Sequence, residues 1–102
     1  MTLEDEVAGA GSTLVVRIAG ELDEETLSAI GQEVMAAVAT GNAVVLDVAE
    51  LTFCDSHGIG MFIAAAAKAR AQGTDFAVRG LRAPMRHLFE ITGLAREINL
   101  LP

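Results

Sequence analysis

The sequence predicts an α/β fold, a mixed sheet of four or five strands packed with three or four helices, and three observations lead to it. Short apolar runs of strand length alternate along the chain with segments whose apolar residues recur at helical spacing. The apolar period switches between two and about 3.6 several times, with glycine at several of the junctions. The 102 residues, 52% of them hydrophobic, suffice for one core and are too few for two. Residues 1–102 are therefore expected to form a single domain.

Each element follows from its local pattern. Leu3 to Val7 suggests a first, edge strand, followed by Gly9 and Gly11 in a turn-like stretch. From Thr13 to Gly20, Leu14, Val16 and Ile18 alternate with Val15, Arg17 and Ala19, giving a second strand with one fully apolar face. Asp23 is expected to cap a helix whose first turn holds Glu24 and Glu25, where carboxylates suit the dipole. Leu27, Ile30, Val34 and Val38 supply its apolar stripe, and Gly41-Asn42 ends it. Ala43 to Val48 is nearly continuous in apolar residues, which fits an inner strand covered on both faces, with Asp47 the exception near its end.

After a loop, Ile59, Phe62, Ile63, Ala66 and Ala67 recur at i, i+3, i+4, i+7 and i+8, a stripe along a helix closed by Gly73. Thr74 to Arg79 returns to a period of two, with Phe76 and Val78 on one face. Leu81 to Gly93 reads as a helix with Pro84 in its first turn, Met85, Leu88 and Phe89 as its buried stripe, and Gly93 as its cap, with Leu94 closing over it. In Arg96 to Leu101, Ile98 and Leu100 alternate with polar residues, as in a last short strand.

Charge and composition exclude several functions. A net charge of −7 argues against direct binding of nucleic acid, which depends on clustered Lys and Arg. Residues 1–60 hold eleven acids against the single base Arg17, while residues 61–102 hold three acids against six bases. That asymmetry suits either a solvated acidic face or the steering of a basic partner. Acids at Glu4, Asp5 and Glu6 are unlike a targeting segment, and the longest apolar run, Ile59 to Ala67, is far below the roughly 20 residues of a membrane span. The expectation is a cytoplasmic protein without membrane insertion. Cys54 has no second cysteine to pair with and is expected to be core packing.

The polar cluster Asp55-Ser56-His57 falls at the N-terminus of the helix that ends at Gly73. Backbone N–H groups without partners and a partial positive charge favour an anion there, so a hydroxyl or a phosphate would be accommodated. Gly58 and Gly60 each cost about 1 kcal/mol of helix propensity relative to Ala. Either they let the helix pack close to the sheet, with Asp55 or Ser56 as an N-cap, or they leave room for another chain.

Asp55, Ser56 and His57 are the residue types of a hydrolase triad. Consecutive residues at a helix start point about 100° apart, however, and cannot align as nucleophile, base and orienter. Cys54, Asp55, His57 and His87 lack metal-ligand spacing. Gly58-Ile59-Gly60 lacks the third glycine of a dinucleotide fingerprint, which Ile63 replaces. No catalytic activity, metal or cofactor is expected.

Asp-Ser-His-Gly-Ile-Gly, residues 55 to 60, after the strand Val44 to Val48, resembles the signature of the anti-sigma factor antagonists of the STAS domain family. Ala69 to Gly73 and Pro84 to Leu94 are similar to further stretches of the same family. The resemblance implies a phosphorylation switch: the unphosphorylated protein binds an anti-sigma factor with serine kinase activity and so frees a sigma factor. It places the phosphoacceptor at Ser56, a loop carboxylate at Asp55, and the partner contact at Asp55, Ser56, His57, Gly58, Ile59 and Gly60, with a phosphoprotein phosphatase reversing the modification. The family pattern has a small hydroxyl residue where His57 stands. A histidine titrates near physiological pH, so it either makes binding depend on pH or simply replaces a small polar residue facing solvent. The same domain type also serves as a non-catalytic accessory subunit or scaffold of transport or stress-sensing complexes, the alternative function.

Overall fold

Three apolar strands form the centre of the sheet, and what they can bury on each side decides where the helices lie. The computed structural model describes residues 2–8 and 11–102, with side chains from residue 13 onward. β1 (Thr2–Ala8), β2 (Gly11–Arg17), β4 (Ala43–Asp47), β6 (Phe76–Arg79) and β7 (Asn99–Leu100) make one five-stranded sheet in the order β1-β2-β4-β6-β7. β1 is antiparallel to β2 and the other pairs are parallel, so the sheet is mixed, as expected. β3 (Gly20–Leu22) and β5 (Leu51–Cys54) pair in parallel as a separate two-stranded sheet. Among the described residues there are four helices: α1 (Leu27–Ala39), α2 (Ser56–Gln72), α3 (Ala83–Ile91) and the short α4 (Leu94–Glu97).

Register explains the core. Leu14, Val44 and Phe76 lie side by side across β2, β4 and β6, and Val16, Leu46 and Val78 form the next row. These rows belong to the same apolar cluster as Ile30, Val34 and Val38 of α1 and Phe62, Ala65 and Ala69 of α2. Phe62 also meets Phe89 of α3, ring centroids 5.9 Å apart and planes tilted by 59°, a geometry aromatic quadrupoles favour. The intervening residues face the other way, and among them Arg17, Asp47 and Arg79 form a charged row. Asp47 Oδ2 lies 3.7 Å from Arg17 Nε and 3.2 Å from Arg79 Nε, so the one acid of the central strand is held by both neighbours.

Several boundaries differ from the sequence reading, each for a local reason. The second strand stops at Arg17, not Gly20: Gly20 has φ +83°, turns the chain and opens β3. Gly11 already belongs to β2, and Gly9 lies outside the described residues. Asp23 does not cap α1. Its Oδ1 accepts the N–H of Glu25 and Thr26 at 2.9 and 3.1 Å, organising the turn that leads in, and α1 begins after Thr26. Thr74 and Asp75 precede β6.

The segment read as a loop after β4 contains β5. α3 is shorter than Leu81 to Gly93, and of its expected buried stripe only Phe89 is buried; Met85 is half-buried and Leu88 is exposed. Arg96 and Glu97 are helical in α4, so the last strand shrinks to Asn99–Leu100. Among the described residues no helix is long and apolar enough to cross a membrane.

Candidate functional site

The small sheet of β3 and β5 delivers the chain to α2. β5 pairs with β3 through Leu51 with Gly20, Phe53 with Glu21 and Cys54 with Leu22, and Asp55 N–H donates to Leu22 O at 3.1 Å. Asp55 therefore leaves the strand still extended, at φ −95° and ψ −172°, the conformation an N-cap requires. Its Oδ1 accepts the N–H of His57 at 2.9 Å and of Gly58 at 3.3 Å. Between the two candidates for the cap, the structure selects Asp55.

Ser56 consequently occupies the first position of α2. It is exposed, and the hydrogen bonds at this terminus leave its hydroxyl out. His57 is about half-exposed, with Nδ1 3.4 Å from Asp55 Oδ2. Desolvation pushes the Asp55 carboxyl up, but the Gly58 and His57 backbone hydrogen bonds and the His57 ring together outweigh it and hold the acid below its ordinary value. The terminus thus keeps a carboxylate beside a free hydroxyl.

The two glycines occupy opposite environments. A Cβ on Gly58 would sit 2.6 Å from Cys54 Sγ and 2.7 and 2.8 Å from Leu22 Cγ and Cδ2, closer than carbon and sulfur tolerate. At Gly60 a Cβ would meet nothing within 4 Å. Gly58 lets α2 pack against β3 and β5, while Gly60 lies on the outer face. This fixes the phase of the helix. Its buried residues are Gly58, Met61, Phe62, Ala65, Ala66 and Ala69, one position earlier than the expected stripe, of which only Phe62 and Ala66 are buried.

Ile59 is half-buried and Ala67 is exposed; Ile63 is 41% exposed. Ser56, Gly60, Ile63 and Ala67 follow helical spacing, so they share one outward face. This row of small and apolar residues starts at the hydroxyl.

The remaining sequence candidates fall elsewhere or are chemically quiet. Cys54 is half-buried, and desolvation followed by the Asp55 charge pushes its thiol up to about 11, so it is protonated at neutral pH. His87 is exposed on α3. No group of three or more His, Cys, Asp or Glu able to hold a metal occurs among the described residues. Sequence reasoning missed β5 and the Leu22 contact. The run Leu51-Thr52-Phe53, with a β-branched and an aromatic residue, was the available signal. The Leu22–Asp55 bond also places the acidic turn Glu21 to Glu25 beside the start of α2.

A family model described as "Mlab, STAS domain" matches residues 6–102. The anti-sigma-B factor antagonist of Listeria monocytogenes is 31% identical over 84 residues, covering 81% of this chain and 74% of that protein. The crystal structure of an anti-sigma factor antagonist from Mycobacterium paratuberculosis is similar at 27% identity and a TM-score of 0.78, over 99% of this chain and 85% of that one. The phosphorylated form of the Bacillus cell fate determinant SpoIIAA, 22% identical, shares the fold with a TM-score of 0.71 over 99% of this chain and 92% of its own. With the family's stretch at the head of α2 and a match running almost end to end, this chain belongs to the STAS domain family of anti-sigma factor antagonists.

Proposed function

We propose that the protein is an anti-sigma factor antagonist that works by binding, not catalysis. Unphosphorylated, it binds an anti-sigma factor with serine kinase activity in the cytoplasm and so releases the sigma factor. That kinase phosphorylates Ser56 and ends the interaction, and a phosphatase restores it. The observation that carries this reading is the exposed Ser56 hydroxyl on the first turn of a helix that the Asp55 side chain caps.

The contact is residues 55 to 60. Ser56, His57 and Gly60 meet the partner directly, Ile59 flanks them, and Asp55 and Gly58 hold the turn in place from within. The Glu21 to Glu25 turn adds negative charge that draws a basic partner toward this end.

Phosphorylation adds about 1.5 to 2 negative charges and three acceptor oxygens. Inside the domain the helix N-terminus favours the new anion and the neighbouring Asp55 opposes it, so the two effects offset and the fold persists. At the interface nothing offsets the added bulk and charge. Ser56→Asp is accordingly expected to leave the melting temperature nearly unchanged while removing kinase binding. A large loss of fold stability would contradict this account.

The deciding experiment uses Ser56→Ala and Ser56→Asp as baits in lysate of the source cell, with retained proteins identified by mass spectrometry. An ATP-binding kinase held by the Ala bait alone supports the switch. His57, standing where the resemblance places a hydroxyl residue, favours the second reading, an accessory or scaffold subunit without phosphoswitching. Identical transport or scaffold proteins on both baits would establish that one.

A further inference from the structure

We propose that the groove between β5 and α3 docks an extended, apolar and acidic peptide segment of another protein, added as a strand along the open edge of β5 with a carboxylate against Arg82. The groove encloses about 400 Å³ and is lined by Leu51, Thr52, Phe53 and Cys54 of β5 together with residues at the start of α3. Side chains of a strand alternate between faces. Four consecutive residues line one groove only where it runs along the strand's edge and takes in the backbone. β3 occupies one edge of β5, and among the described residues no strand pairs with the other. An open edge beside apolar walls is the template for strand addition.

The walls are apolar and partly uncovered. Phe53 is 50% exposed and Leu88 36%, and Ile91, one turn beyond Leu88, is 66% exposed, so the apolar surface continues out of the groove along α3.

The charge at the rim selects the occupant. Among the described residues Arg82 is the only charged side chain lining the groove. Its Nε and Nη2 donate to Ala49 O at 3.2 and 3.0 Å, a neutral acceptor, and no carboxylate pairs with it among the described residues. It is also the N-cap residue of α3, which has no side-chain cap. A cation at the positive end of a helix is unfavourable, and a carboxylate brought by a partner relieves both the unpaired charge and the uncapped terminus. The proposal does not depend on modification of Ser56.

The test is selection of a random peptide library on the wild-type protein, followed by fluorescence anisotropy of a selected peptide with Phe53→Ser, Leu88→Ser and Arg82→Gln. Both apolar side chains are exposed, so these variants should fold, and their circular dichroism melts verify it. Enriched peptides are expected to alternate apolar residues with Asp or Glu. Phe53→Ser and Leu88→Ser should each weaken binding about tenfold, and Arg82→Gln should erase the preference for acids. Four results would overturn the proposal: no enrichment, a basic or helically spaced consensus, indifference to Phe53→Ser and Leu88→Ser, or a wild-type dimer that these substitutions dissociate.

Discussion

Gly58 and Gly60 stand two residues apart in α2, and the same substitution at each should move stability in opposite directions. In Gly58→Ala the new methyl would lie 2.6 Å from Cys54 Sγ and 2.7 Å from Leu22 Cγ. Leu22 is fully buried and cannot swing into solvent. Overpacking of this kind costs about 1 to 3 kcal/mol, against a gain of at most about 1 kcal/mol in helix propensity. With three contacts below 3.0 Å the cost falls in the upper part of that range, about 2 to 3 kcal/mol, so the net loss is about 1 to 2 kcal/mol, a fall in melting temperature of roughly 5 to 15 °C for a domain of this size.

Gly60→Ala meets nothing and keeps only the propensity gain, about 0.4 to 1 kcal/mol, so its melting temperature should rise by a few degrees. In the proposed reading it should nevertheless bind the kinase less well. Thermal melts by circular dichroism decide the first half, and titration calorimetry with the kinase the second. A Gly58→Ala protein as stable as wild type, or a destabilised Gly60→Ala, would refute the packing argument. Adding Cys54→Ala to Gly58→Ala should return part of the loss through non-additive coupling, because it removes the nearest clashing atom.

Two further outcomes follow from the ionisable groups. Burial pushes Asp47 and Asp55 up, but hydrogen bonds and neighbouring groups, the arginines at Asp47 and the His57 ring at Asp55, bring both below the ordinary value of 3.8. Their stabilisation is therefore complete above that value and lost as pH falls through the lower folded one. The melting temperature should hold near neutrality and drop below about pH 4, with Asp47→Asn showing a shallower acid limb; an unchanged limb would remove Asp47 from the account. Cys54, with its thiol pushed up to about 11, should resist a thiol-directed disulfide reagent at pH 8 in the folded protein and react on unfolding. Rapid modification of the native protein would contradict the raised thiol.

What the sequence discloses depends on how local the cause is. Strands β2, β4 and β6 and helices α1 and α2 announce themselves because a long or strongly periodic run carries its own signal. The residues Asp55, Ser56 and His57 were legible at the head of α2 for the same reason. β3 and β5 were not, since three or four residues make a strand only by pairing with each other across about thirty residues of chain, and α4 is a single turn. The phase of α2 slipped by one position because alanines occur on several faces and Gly58 offers no apolar side chain to count. What sets that phase is contact with Leu22 and Cys54, residues that periodicity within the helix never consults.

The misassigned residues have something in common. Ile63 and Leu88 were placed in the core because an apolar residue at helical spacing signals burial, and burial by a partner leaves the same signal as burial by the fold. Ile63 points outward on α2 with Gly60, and Leu88 borders the groove beside β5. The glycines sharpen the distinction. Each costs helix propensity, and at Gly58 the fold supplies the reason, since no side chain fits under Leu22. At Gly60 the fold supplies none: alanine would fit and would stabilise the helix. A residue whose cost has no internal cause points outside the molecule, and Gly60 lies on the face that begins at Ser56. In the proposed reading, the docking of a partner over that face accounts for the glycine, the exposed Ile63 and the free hydroxyl together.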